Sequence, residues 1–327
     1  MSMLIRYSSQ VGALSSCVHS GRRYFTNLSW QTGNRWAVIR RKFASDVKTV
    51  SRAETTTRTG YSAEQLGRVI LAGGCVFGIG SLCYYGLGLS GQVGAIDKAG
   101  FWPAEVRHRI SVTYGYFASG LAVTAAAAYG AMRVESVMRF LVNRPFMSLG
   151  VFLVGTLGSS MICHATPYTA ATMPIKLGSF AVFSSVMGVT ISPLILMAGP
   201  IAVRAAAYTA GVVGALTMTA ACAPSERYLY MSGPLSLGLG VVLVASIGGM
   251  FASPASAIGA GLHSIYMYGG LVLFGGFVLY DTQRIIHSAE KSPTYDPVNM
   301  SMGIYMDTIN IFIRILMLMM GSGNRRK

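Results

Sequence analysis

The chain has 327 residues, of which 52% are hydrophobic and only 11% charged, with 39 Gly and 19 Met. An ordinary soluble domain carries about 25% charged residues, so consecutive apolar blocks near the roughly 20 residues that cross a bilayer exclude a soluble core and imply an all-α, polytopic membrane protein. The net charge of +15 comes largely from the two chain ends, which favours targeting and contact with anionic lipid over nucleic-acid binding.

From residue 1 to 45 there is no acidic residue, while Arg6, Arg22, Arg23, Arg35, Arg40, Arg41 and Lys42 are basic and serine is frequent. Leu4, Tyr7, Val11 and Leu14 follow helical spacing. An Arg- and Ser-rich, amphipathic, acid-poor start with no apolar block of secretory type predicts a mitochondrial transit peptide over residues 1–45. A disordered basic tail is the alternative. Residues 46–67 are polar and mixed in charge, and are expected to form a linker.

Eight apolar helices are predicted, at 68–90, 110–132, 146–164, 177–199, 203–223, 232–252, 259–281 and 300–320. Pro103, Arg133 to Pro145, Pro167 and Pro174, Pro200, Pro224 to Arg227, Pro254, and Glu290 to Pro297 punctuate them. Short connections make successive helices antiparallel neighbours. Eight spans return both termini to one side, and both termini are basic, which favours matrix-side termini. Glycine pairs such as Gly238 with Gly240 and Gly275 with Gly276 are expected to let helices approach closely.

Five scattered cysteines without a CxxC pair give neither a zinc site nor a disulfide framework. His164, His263 and His287 lie far apart, without ligand spacing. No cofactor motif is present, and no cofactor is expected.

The acidic residues are the informative ones. None of the 11 falls between Glu135 and Glu226 or between Glu226 and Asp281. Yet Asp281 and Asp307 lie within the last two apolar stretches, where each charge costs roughly 2.5–3.5 kcal/mol at the helix centre on insertion scales. In antiparallel helices the two carboxyls can reach similar depth, share a proton, or jointly hold a cation. A hard ion such as Ca²⁺ prefers such oxygens, and protons compete for them. Asp281 and Asp307 are therefore the candidate ion-binding, pH-sensing residues and the transient Ca²⁺ ligands. Asp307, Asn310 and Arg314 share one helical face. Asn310 is placed to hydrogen-bond the carboxylate, and Arg314 to neutralise it in one conformational state. Arg284, three residues after Asp281, is placed to do the same there. Static ion pairs that hold helices together are the competing reading.

Leu279-Tyr280-Asp281-Thr282-Gln283, with Ile304-Tyr305-Met306-Asp307-Thr308-Ile309-Asn310-Ile311-Phe312, resembles the paired C-terminal signature of the Bax inhibitor (transmembrane Bax inhibitor motif) family. Val112-Thr113-Tyr114 and Gly120 to Ala125 resemble that family's first core helix. Gly199 to Ala206 and Ala223-Pro224-Ser225-Glu226, with the transit-like start, resemble its mitochondrial branch. The resemblance covers about 105–325. It implies a seven-helix Bax-inhibitor-like core preceded by one extra N-terminal span at 68–90, in the mitochondrial inner membrane. It further implies a pH-sensitive aspartate pair, Ca²⁺/H⁺ exchange, cristae organisation and restraint of apoptosis. Only Asp281 and Asp307 carry over to the family's site. The expected partners are Ca²⁺, H⁺, membrane lipids and inner-membrane proteins. A scaffold without transport is the second class of function. An intramembrane aspartyl protease is the third, but Gly303-Ile304-Tyr305-Met306 lacks the Gly-x-Gly that precedes such an enzyme's second aspartate, so no enzyme activity is expected.

Overall fold

A computed structural model describes residues 102–223, 227–252 and 256–323. The transit peptide, the linker and the extra span at 68–90 lie outside the described residues. The rest is helical: α1 (Ala104–Arg133), α2 (Glu135–Asn143), α3 (Pro145–Ala165), α4 (Met173–Ala198), α5 (Pro200–Cys222), α6 (Ser232–Phe251), α7 (Ala257–Ser264), α8 (Gly270–Lys291) and α9 (Pro297–Gly323), with no strand among the described residues. Helices α7 and α8 are joined by an i→i+5 turn, Ile265–Gly269, into one continuous rod. Seven of the described segments are long and apolar enough to cross a membrane. The protein is a polytopic helical membrane protein.

Prolines set the helix starts. Pro145, Pro174 and Pro200 stand in the first turn of α3, α4 and α5, where the missing N–H is no loss. Pro193 stands inside α4 and cannot serve the Val189 carbonyl. The neighbouring Ser192 hydroxyl does so instead, at 2.7 Å, which satisfies a polar group that lipid cannot.

Helix α9 lies at the centre, packed on α8, α1 and α5. Its Tyr305, Ile311, Ile313 and Leu316 are fully buried, and they join Phe180, Phe183 and Met187 of α4 and Phe274 and Val278 of α8 in one core. The outside of the bundle is apolar too: Phe146, Val154, Val203 and Leu237 are all exposed, as lipid-facing residues are. Helices α6 and α8 interlock through glycines. A Cβ on Gly238 would lie 2.8 Å from Leu273, and one on Gly276 would lie 2.7 Å from Leu235. Each leucine fills the gap left by the opposite glycine.

Three differences from the sequence expectation bear on the site. Helix α1 begins at Ala104, six residues before 110, because Arg109 is drawn into the bundle and donates to the Ala289 and Ser292 carbonyls at 3.3 and 2.9 Å. The stretch after Arg133 is not a bare loop but α2, which buries Met138 and Leu141 one turn apart. The span expected to end at 281 runs on to Lys291, so Asp281 stands within the helix and not near its end.

Candidate functional site: an intramembrane acid pair

Helices α8 and α9 are joined by the short connection 292–296. Asp281 lies ten residues before the end of α8, and Asp307 lies ten residues after the start of α9. At 1.5 Å per residue, both sit about 15 Å from the connection. Both are buried, and their side chains hydrogen-bond each other. Such a bond between two carboxyl groups requires a proton on one of them. Asp307 Oδ2 is buried with no hydrogen-bond donor from any other neighbour.

Glycine makes this meeting possible. A Cβ on Gly303, one turn before Asp307, would lie 2.9 Å from the Asp281 Cγ and overlap its carboxylate. Tyr114 of α1 lies within the field of Asp281, with its hydroxyl beside Thr282 of α8 and Thr217 of α5. Four helices thus line the pair. No group of three or more His, Cys, Asp and Glu side chains placed to hold a metal ion occurs among the described residues. A bound cation would have to complete its shell with hydroxyl, carbonyl or water oxygens, which suits a hard ion in transit better than a resident one.

The supporting residues lie elsewhere than expected. Arg284 is exposed and reaches Asp281 only through its field. The Asn310 amide donates to the Met306 carbonyl at 2.9 Å, and its oxygen accepts from Arg314 Nη1 at 3.1 Å. Neither Asn310 nor Arg314 turns to Asp307. Asn310 reaches back to Met306 instead, and the Arg314 guanidinium is held between the Tyr266 and Phe274 rings, 4.9 and 4.6 Å from their centroids. Gln283, fully buried, instead ties α8 to the segment before α6 by accepting from the Tyr228 N–H at 2.6 Å.

A second buried charge was not singled out from the sequence. Lys176, fully buried in the first turn of α4, pairs with Asp296 at 2.6 Å and donates to the Cys163 and Thr166 carbonyls and to Asn299 Oδ1 at 2.8, 2.7 and 3.2 Å. The other Asp296 oxygen caps α9, accepting from the Val298 and Asn299 N–H groups at 3.1 Å. Thr113 and Tyr295 hydrogen-bond nearby at 2.6 Å, and burial pushes the Tyr295 phenol above its ordinary pKa, so that contact stays neutral. With Arg109, these contacts fasten the 292–296 connection to α1, α3 and α4. The available signal was that Lys176 is the one lysine between Lys98 and Lys291.

A helical bundle that brings two buried carboxyl groups together is a membrane protein with an intramembrane acid pair. The chain belongs to the Bax inhibitor family: the family model described as "Inhibitor of apoptosis-promoting Bax1" matches residues 106–325. It is similar to growth hormone-inducible transmembrane protein of Rattus norvegicus, 43% identical over 272 residues that cover 82% of this chain and 78% of that protein. It is also similar to Bax inhibitor 1 of Sus scrofa, 30% identical over 66% of this chain and 86% of that one, and to Bax inhibitor 1 of Homo sapiens, 29% identical with the same coverage. No solved structure matches.

Proposed function

We propose that this protein is a mitochondrial inner-membrane cation transporter or pH-gated channel that exchanges Ca²⁺ for H⁺ at Asp281 and Asp307. The observation that carries the reading is the buried carboxyl pair, with Asp307 Oδ2 left unpartnered. A proton on the pair lowers its charge and lets it sit at depth; removal of protons leaves two anionic groups that need a cation. Ca²⁺ occupancy and H⁺ occupancy therefore oppose each other. Occupancy by Ca²⁺ rises with pH and falls as acid protonates both groups. The mitochondrial address rests on the arginine-rich, acid-poor start. The reading includes restraint of apoptosis, which the family description supports, and it extends to cristae organisation with inner-membrane protein partners; no enzymatic step is part of it.

The test is Ca²⁺ and K⁺ flux in liposomes containing the purified chain, across an imposed pH gradient. Asp281→Asn and Asp307→Asn should each abolish the pH dependence of Ca²⁺ flux. Gly303→Ala should do so too by displacing Asp281, without altering either carboxyl. Unchanged flux and pH response in all three would remove the transport reading.

The second reading is a scaffold that organises cristae and retains partners without transport. The tight fit of Asp281 against Gly303 favours it, since the pair then serves to hold α8 to α9. On that reading the Asp→Asn variants lose stability or partner recovery, and the purified wild-type chain moves no ion.

A further inference from the structure

Beyond the acid pair, α9 carries a second buried charge, and the helices around it are shaped to hold it. Arg314 is fully buried, and no ion pair reaches it among the described residues. Its Nη1 donates to the Asn310 carbonyl at 2.9 Å and to Asn310 Oδ1 at 3.1 Å, and its Nε donates to the Tyr266 carbonyl at 3.3 Å. The two aromatic faces at 4.9 and 4.6 Å complete an environment suited to a cation.

That environment depends on two local departures from regular structure. In an α-helix the Gly270 N–H would bond to the Tyr266 carbonyl, but in the i→i+5 turn it bonds to Ile265 and Met267 instead. This leaves Tyr266 O facing Arg314. A Cβ on Gly270 would lie 2.9 Å from the Arg314 Cζ, so only glycine leaves room for the guanidinium. One N–H group, Nη2, still has no partner.

Asp307 lies two turns earlier on the same helix, and its Oδ2 is likewise buried without a partner. The helix thus carries two unmatched buried atoms of opposite sign, with Asn310 between them. The Lys176–Asp296 cluster closes the bundle at the 292–296 end, and Arg314 stands on the opposite side of the acid pair, toward the α7–α8 turn.

We propose that Arg314 is a tethered cation that gates the acid pair: seated between Tyr266 and Phe274 it closes that end of the path to cations, and it must leave this seat for an ion to pass. When it leaves, the Asp307 carboxylate is the buried anion on its own helix face. The proposal rests on the transport reading above. It makes Arg314 a positioning and selectivity-determining residue, not an ion ligand.

The experiment is Ca²⁺ and K⁺ efflux from liposomes containing the full chain, with and without a pH gradient, for wild type, Arg314→Gln, Arg314→Lys and Phe274→Leu. Arg314→Gln should raise Ca²⁺ leak without a gradient at least several-fold and reduce discrimination against K⁺. Arg314→Lys, which keeps the charge but not the planar stacking, should fall between it and wild type. Phe274→Leu removes one wall of the seat, keeps Arg314 and should leak in the same direction; it decides the matter if Arg314→Gln does not fold. Gradient-driven flux in wild type with unaltered leak in the folded variants overturns the gate alone. Wild type that moves no ion overturns the transport reading and the gate with it.

Discussion

At the scale of single residues, the bundle tolerates buried charge only where geometry supplies partners. Lys176 has four: an aspartate, two carbonyls and an amide oxygen. Removing one member of a buried pair leaves the other unmatched, at a cost of about 3–5 kcal/mol, whereas replacing both by apolar groups can be nearly neutral. Lys176→Met alone leaves Asp296 part-exposed and still bonded to two α9 N–H groups, so it should lower the stability of the detergent-solubilised protein by less, about 1–3 kcal/mol. Lys176→Met with Asp296→Leu should recover part of it, less the lost cap on α9, about 1 kcal/mol. Thermal unfolding of the four proteins of this cycle measures the coupling; additive losses would show that the pair contributes nothing. The two aspartates announced themselves in the sequence because the chain has so few acids. Lys176 did not, since a lysine near a proline reads as a membrane boundary. Only the tertiary fold shows that α3 and α9 close over it.

At the scale of elements, the apolar blocks were legible because lipid demands length and apolarity, and helix positions followed. The ends were not. Helix α8 continues ten residues beyond 281 because Gln283, Ile285, Ile286 and Ala289 face the bundle and are buried there, which composition alone does not reveal. The i→i+5 turn at Ile265–Gly269 leaves no mark in the apolar pattern either, and the seat of Arg314 depends on it. Of the glycine pairs, only Gly238 and Gly276 stand at a tight helix contact; a Cβ on Gly240 would meet nothing within 4 Å, and one on Gly275 only an ordinary contact with Leu216. Gly276→Val should clash with Leu235 and cost about 1–3 kcal/mol, and Leu235→Ala in the same chain should relieve the clash while leaving its own cavity. If Gly276→Val unfolds no earlier than wild type, the interlocking of α6 and α8 is not as described.

At the scale of the molecule, the seven described crossings alternate in direction, so the connections at 166–172 and 292–296 and the segment 227–231 lie on one face and those at 134–144 and 199 on the other. The polar contacts agree, since Lys176 with Asp296 and Arg109 with Ser292 join segments of the first face. In a background without native cysteines, Thr169→Cys and Val134→Cys should react with an impermeant thiol reagent from opposite sides of sealed vesicles. Labelling of both from one side would break the topology, and with it the equal depth of the acid pair.

Proton release on metal binding tests that pair most directly. Ca²⁺ added to the purified chain in weakly buffered detergent should liberate protons from wild type, with apparent Ca²⁺ affinity rising as pH rises, and should liberate none from Asp281→Asn or Asp307→Asn. Binding of Ca²⁺ without proton release, or release that persists in both variants, would contradict the claim that one buried pair of carboxyls serves both ions.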